Sequence, residues 1–152
     1  MKKNRLYLFT DASYCQQTRA GGYAFIAKCD SFEVRFGTHF KNDCNGCFQA
    51  EMMSIINCLT YIKKHVTVSK AESIILYTDS EQAILHISNN SSHLGVMASR
   101  LIQDVKKEVG ASKFTLKHIS AHTGDKGRNA RYNQWCDITA KKYMKYKKSL
   151  SL

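Results

Sequence analysis

Apolar and polar positions divide the chain into runs of two different periods. Residues 5–10, RLYLFT, form a short β-rich run. GGYAFIAKC at 21–29 follows a polar loop, and FEVRFGTHF at 32–40 alternates as a half-buried strand does. The short connections between these three predict an antiparallel meander. After the loop KNDCNGC the period becomes helical, with Met52, Ile55, Ile56, Leu59 and Ile62 on one face. SIILYT at 73–78 is a continuous apolar run, the kind buried on both faces of a sheet. A short helix from about Ser80 to Ser88 follows, then a loop, then a second helix carrying Leu94, Met97, Leu101, Val105 and Val109. KFTLKHIS at 113–120 reads as a fifth strand, and NQWCDITAKKYMKY at 133–146 as a closing helix. The order βββαβααβα predicts an α/β fold, a five-stranded mixed sheet with helices on both faces. No linker or composition break interrupts residues 1–152, which predicts a single domain with a basic tail over about 143–152.

Charge changes the picture more than size does. Twenty-three Lys and Arg against twelve Asp and Glu give a net charge of +11, which suggests a polyanionic partner, most often nucleic acid. Beyond Asp137 there is no acidic residue, while Lys141, Lys142, Lys145, Lys147 and Lys148 follow. That run serves equally as a solvated helix face. No secretory signal is expected, because MKKNRLYLFTDAS reaches an aspartate before a useful apolar stretch. No segment approaches the length of a membrane span. Six cysteines in such a chain are expected to be reduced thiols, and the expected location is cytoplasmic.

The acids, being few, carry the chemistry. Asp11 and Asp79 each close an apolar run in the string Thr-Asp, and ligands of open α/β sheets gather outside the carboxyl ends of strands. Nothing else around the two strings matches, so a duplicated unit is not expected. Glu51 lies one turn before Ile55, and Asp137 precedes Ile138 in the last helix. Four carboxylates converging there would need a counter-charge, and an oxygen-only donor set suits Mg²⁺ or Mn²⁺. Spacing alone leaves a plainer alternative open: Asp79-Ser80 also reads as a helix cap, and Asp after a strand as a turn former.

The order FTDAS, then AE opening a helix, then YTDS, then SAHTG ahead of NQWCDITA resembles the type 1 ribonuclease H family, over about Leu6 to Lys142. The resemblance implies the ribonuclease H-like fold and an endonuclease that hydrolyses the RNA strand of RNA–DNA hybrids with two Mg²⁺ ions, Mn²⁺ being an alternative. It places the catalytic, metal-holding carboxylates on Asp11, Glu51, Asp79 and Asp137, with Asp11 bridging both ions, and a catalytic histidine on His122. On its own, a histidine in this polar loop reads as a solvent-exposed bystander. The resemblance also implies a 2′-hydroxyl contact from Glu51 and substrate contacts from Gln16, Asn45, Gln49 and Ser80.

Several residues depart from the family pattern. Ala12 stands where many members have Gly, and Glu81 stands where Gln is common, adding a negative charge near the groove. No Trp- and Lys-rich segment separates Asp79 from His122, so the chain resembles the form without a basic protrusion. The segment His122 to Asp137 is expected to be a long, mobile basic loop whose Lys126, Arg128 and Arg131 touch the hybrid. Trp135 is expected to anchor the last helix, and Cys44 and Cys47 to be a turn rather than a zinc or redox pair. A monomer with no protein or membrane partner is expected. The rivals are a nuclease of the same architecture acting on branched or transposon DNA, and a non-catalytic nucleic-acid-binding module.

Overall fold

The computed structural model describes residues 4–65, 71–120 and 127–150. Five strands, β1 (Arg5–Tyr14), β2 (Gly21–Lys28), β3 (Glu33–His39), β4 (Ser73–Thr78) and β5 (Lys113–His118), join four helices. These are α1 (Cys47–His65), α2 (Glu81–Ser88), α3 (His93–Val109) and α4 (Arg128–Ser149). The sheet runs β3-β2-β1-β4-β5, with the meander antiparallel and β1, β4 and β5 mutually parallel. This is the mixed sheet and the element order that the periodicity predicts, and α2 and α3 alone fill the segment between β4 and β5.

Strand alternation sends the side chains of β1 to two different cores. Leu6 and Leu8 join Met52, Ile55, Leu59 and Ile62 of α1 on one face, together with α3 residues. Phe9 faces the other way, packing with Ala24, Ile26, Tyr77 and Cys136 beneath α4. Trp135 and Tyr132 complete that smaller cluster, so Trp135 does anchor the last helix. The approach of α4 to the sheet is made at glycine. A Cβ on Gly22 would lie 2.4 Å from the carbonyl oxygen of Ala140 and the amide of Met144.

Three boundaries differ from expectation. β1 runs to Tyr14 rather than Thr10, because β2 continues to pair with it through Tyr14↔Gly21 after the β4 pairing stops at Phe9↔Tyr77. In α3 the buried side is Gly95, Ala98, Ile102, Val105 and Val109, while Met97 is 37% exposed. The small residues turn inward because α2 lies close: a Cβ on Gly95 would sit 2.6 Å from the carbonyl oxygen of His86. Finally, α4 begins at Arg128, five residues before the predicted start. Tyr132 extends the buried stripe by one turn, packing on Phe9 with ring centroids 5.1 Å apart. The segment before Asp137 is therefore helix from Arg128 onward, and the expectation of a loop is corrected there. His122 and Lys126 lie outside the described residues.

Candidate active site

β1 outlasts its parallel neighbour, so its residues beyond Phe9 stand at the edge where β4 ends and Asp79 follows. Asp11 occupies this overhang and is only 2% exposed. From the opposite side α1 offers Glu51, whose neighbours Met52 and Ile55 are fully buried and hold the helix against the sheet. The backbone N–H of Ala12 joins the two acids, donating to Asp11 Oδ1 at 2.9 Å and to Glu51 Oε1 at 3.3 Å. That contact is made by backbone, which explains why Ala rather than Gly is accommodated at position 12. Asp79 follows the last residue of β4, and carboxylate oxygens of Asp11, Glu51 and Asp79 all lie within 4.8 Å of one another.

The cluster is held at an electrostatic cost. Burial, and then the nearby charge of Asp79, raise the Asp11 carboxyl to about 7 from an ordinary 3.8. Burial first, and then the charges of Asp11 and Asp79, hold Glu51 well above the usual carboxylate range. Asp11 Oδ2 and Glu51 Oε2 are buried and accept no hydrogen bond among the described residues. Buried oxygens of this kind are normally satisfied, and two such oxygens in a cluster of three convergent carboxylates fit a hard divalent cation. Among the described residues this is the one cluster of acids, histidines or cysteines that could hold a metal.

The fourth expected carboxylate is set apart. Asp137 keeps a quarter of its side chain exposed and pairs with Lys141 Nζ one turn on, at 3.1 Å. Its charge reaches Asp11, as the least of the influences raising that carboxyl, yet it is not among the three that converge.

The expected substrate residues that the structure describes fall into four places. Ser80 caps α2, its hydroxyl accepting from the Ala83 N–H at 3.1 Å. Gln16 is exposed in the turn after β1, and Asn45 and Gln49 meet at the start of α1, where the Asn45 N–H donates to Gln49 Oε1 at 2.5 Å. Arg128 and Arg131 lie in the first two turns of α4, with Arg128 about 13 Å along the helix from Asp137. Glu81 opens α2 with its side chain 79% exposed, 4.0 Å from His118 Nε2.

Sequence reasoning missed Arg19. Its guanidinium donates to the Cys44 carbonyl at 3.2 Å and to the side-chain oxygen of Asn45, and its own carbonyl accepts from the Cys44 N–H at 2.9 Å. It thereby ties the turn bearing Gln16 to the loop bearing Asn45. An arginine in QQTRAGG carries no local signal of this, since its partners lie 25 and 26 residues away. All six cysteines are free, with Cys44 buried and Cys47 exposed as the first residue of α1.

A sheet of order 3-2-1-4-5 whose central strand and its parallel neighbour deliver two aspartates to one edge, opposed by a helix-borne glutamate, defines an α/β protein built around an acidic cluster. The family is set by sequence: the RNase H profile matches residues 3–145, and the chain belongs to the RNase H family. Solved structures show the same fold. The N-terminal RNase H domain from Mycobacterium tuberculosis, solved as a fusion with maltose-binding protein, aligns with a TM-score of 0.72 at 14% identity, over 99% of this chain and 100% of that one. RNase H1 from the halophilic archaeon Halobacterium salinarum aligns with a TM-score of 0.62 at 14% identity, covering 93% and 98% of the two chains. LC11-RNase H1 in complex with RNA/DNA hybrid gives 0.65 at 11% identity, covering 93% and 97%. No curated protein matches by sequence. Among the described residues, no helix is long and apolar enough to cross a membrane.

Proposed function

We propose that this chain is an endonuclease that hydrolyses the RNA strand of RNA–DNA hybrids with two divalent cations, Mg²⁺ by preference and Mn²⁺ as an alternative. One observation carries the reading: the convergence of Asp11, Glu51 and Asp79, with Asp11 Oδ2 and Glu51 Oε2 buried and without a hydrogen-bond donor among the described residues. The chemistry such ions supply when bound is activation of a water and neutralisation of charge at the leaving 3′-oxygen.

The chain's own residues do the rest. Asp11, on the central strand with one oxygen held by the Ala12 N–H, would help hold the cations through the other. Glu51 and Asp79 close the cluster from α1 and from the end of β4. Asp137 is the fourth carboxylate, at the rim beside Lys141. His122 moves a proton or assists departure of product. Selectivity for a hybrid requires a contact to the 2′-hydroxyl on one strand and to a deoxyribose backbone on the other. Glu51 is the acceptor for the first, and Ser80, Gln16, Asn45 and Gln49 line the path of the strands, with Lys126, Arg128 and Arg131 adding phosphate contacts.

The test is incubation of the chain and of Asp11→Asn with labelled RNA–DNA hybrid, single-stranded RNA and double-stranded DNA, with Mg²⁺ or EDTA. Hybrid-selective, metal-dependent cutting by the unaltered chain alone is expected. Cutting in EDTA, or full activity of the variant, would sink the mechanism.

A further inference from the structure

The sheet face that ends in the acidic cluster begins in an aromatic hollow. Alternation along β1 places Tyr7 and Phe9 toward α4 ahead of Asp11, and Ile75 and Tyr77 do the same in β4 ahead of Asp79. α4 covers the β2 side of this face and leaves open a hollow of about 340 Å³ between β1, β4 and its own first turn. The volume lies in the range of small-ligand pockets, roughly 300–1,000 Å³.

Its floor is Phe9 stacked on Tyr77, with ring centroids 4.9 Å apart and planes 10° from parallel. Tyr7 and Tyr132 are half-buried walls. The Tyr132 ring carries Lys28 Nζ at 4.9 Å and Arg35 Cζ at 5.5 Å from its centroid, so Tyr7 is the wall without a cation over it among the described residues. Tyr132 is fixed by Lys28, whose Nζ donates to its hydroxyl at 2.5 Å, and Tyr77 by Asn129, whose Nδ2 donates at 3.3 Å. Around the rim stand Arg5, Lys117 and Arg128. Among the described residues none of these three is in an ion pair, whereas Lys28 and Arg35 nearby both meet Glu33. Asp30 is the one acid of the lining among the described residues.

We propose that this hollow binds a nucleotide unit, its base against Tyr7 and its phosphate among Arg5, Lys117 and Arg128. Flat π-faces beside unpaired cations are what a base with its phosphate requires, and the ring faces accept any base. A bare phosphate would leave the rings unused, and an aliphatic ligand would leave the cations unused. Tyr7 precedes Asp11 by four residues, about 13 Å along the strand. The nucleotide is therefore either a free one or part of a single-stranded extension of the nucleic acid engaged at the acidic cluster. The second source rests on the proposed function; the first does not.

The experiment uses the full chain, Arg5→Gln/Lys117→Gln and Tyr7→Leu, with circular dichroism as the check on folding. Binding of AMP and of inorganic phosphate is followed by titration. Affinities for a blunt hybrid and for hybrids with a three-nucleotide single-stranded extension at either end are measured in Ca²⁺, and cleavage of the blunt hybrid in Mg²⁺. The expectation is that AMP binds, that phosphate does so much more weakly, and that both variants lose AMP affinity by about tenfold with blunt-hybrid cleavage unchanged. Added affinity for an extension, lost in both variants, assigns the nucleotide to a strand. AMP binding with no gain from an extension assigns it to a free nucleotide. Phosphate binding as tightly as AMP, or absence of both AMP binding and extension preference, overturns the proposal. A folded chain that binds AMP but cuts no hybrid leaves the hollow standing and removes the nuclease reading alone.

Discussion

Asp11 and Asp137, both expected of one site from the sequence, are held in opposite ways. Asp11 is strand-borne, 2% exposed, and pushed to about 7 by burial and by Asp79. Asp137 is helix-borne, a quarter exposed, and has Lys141 at 3.1 Å. A carboxylate that must sit beside others needs a rigid, dry mounting and a cation to compensate it, whereas one at the rim can be satisfied by its own helix. The first is maintained against its own stability and the second is not.

The sharpest way to break this comparison is Asp11→Asn. Hybrid cleavage is expected to fall by about a thousandfold or more. The same variant is expected to be more heat-stable than the unaltered chain in EDTA at pH 8; a lower melting temperature there would contradict the strained-carboxylate account. The pH dependence carries the same sign. Well below pH 3.8 Asp11 is protonated in both folded and unfolded states and costs nothing. As pH rises from 3.8 toward 7 the unfolded chain releases its proton first, so the folded state loses stability until the folded group has titrated. Glu51 shifts in the same direction. Thermal melts in EDTA should therefore show stability falling by up to a few kcal/mol between about pH 4 and pH 7. Mg²⁺ should restore more at pH 8 than at pH 5, and an equal gain at both would argue that the ion binds elsewhere.

Gly22→Ala tests the mounting of Asp137 without touching Asp11. The added methyl meets α4 backbone on two sides and is expected to destabilise by about 1–3 kcal/mol, read as a lowered urea midpoint. Asp137→Asn is expected to slow hybrid cleavage by roughly tenfold, less than Asp11→Asn, in a steady-state assay. Smallest of all, Lys141→Gln removes an exposed i,i+4 pair and should change stability by no more than about 0.5 kcal/mol.

How much of this was legible in the sequence follows from how local each cause is. Strand alternation and the apolar stripe of α1 act over a few residues, so the element order and the burial of Met52, Ile55, Leu59 and Ile62 could be read directly. The side of α3 that turns inward could not, because it is set by Gly95 meeting the His86 carbonyl, a contact between two helices. The early start of α4 was hidden by its charge: Arg128 and Arg131 read as loop, and Tyr132 becomes a core residue only when Phe9 is seen beneath it. The acids were nameable from the motifs, yet the unequal treatment of Asp11 and Asp137 depends on β1 outrunning β4, which no spacing reveals.

Arg19 has one more consequence. By bonding both the backbone of Cys44 and the side chain of Asn45, it makes the turn after β1 and the loop before α1 a single mechanical body. Gln16 and Asn45 cannot then be adjusted separately. Changes at either should be non-additive with changes at the other.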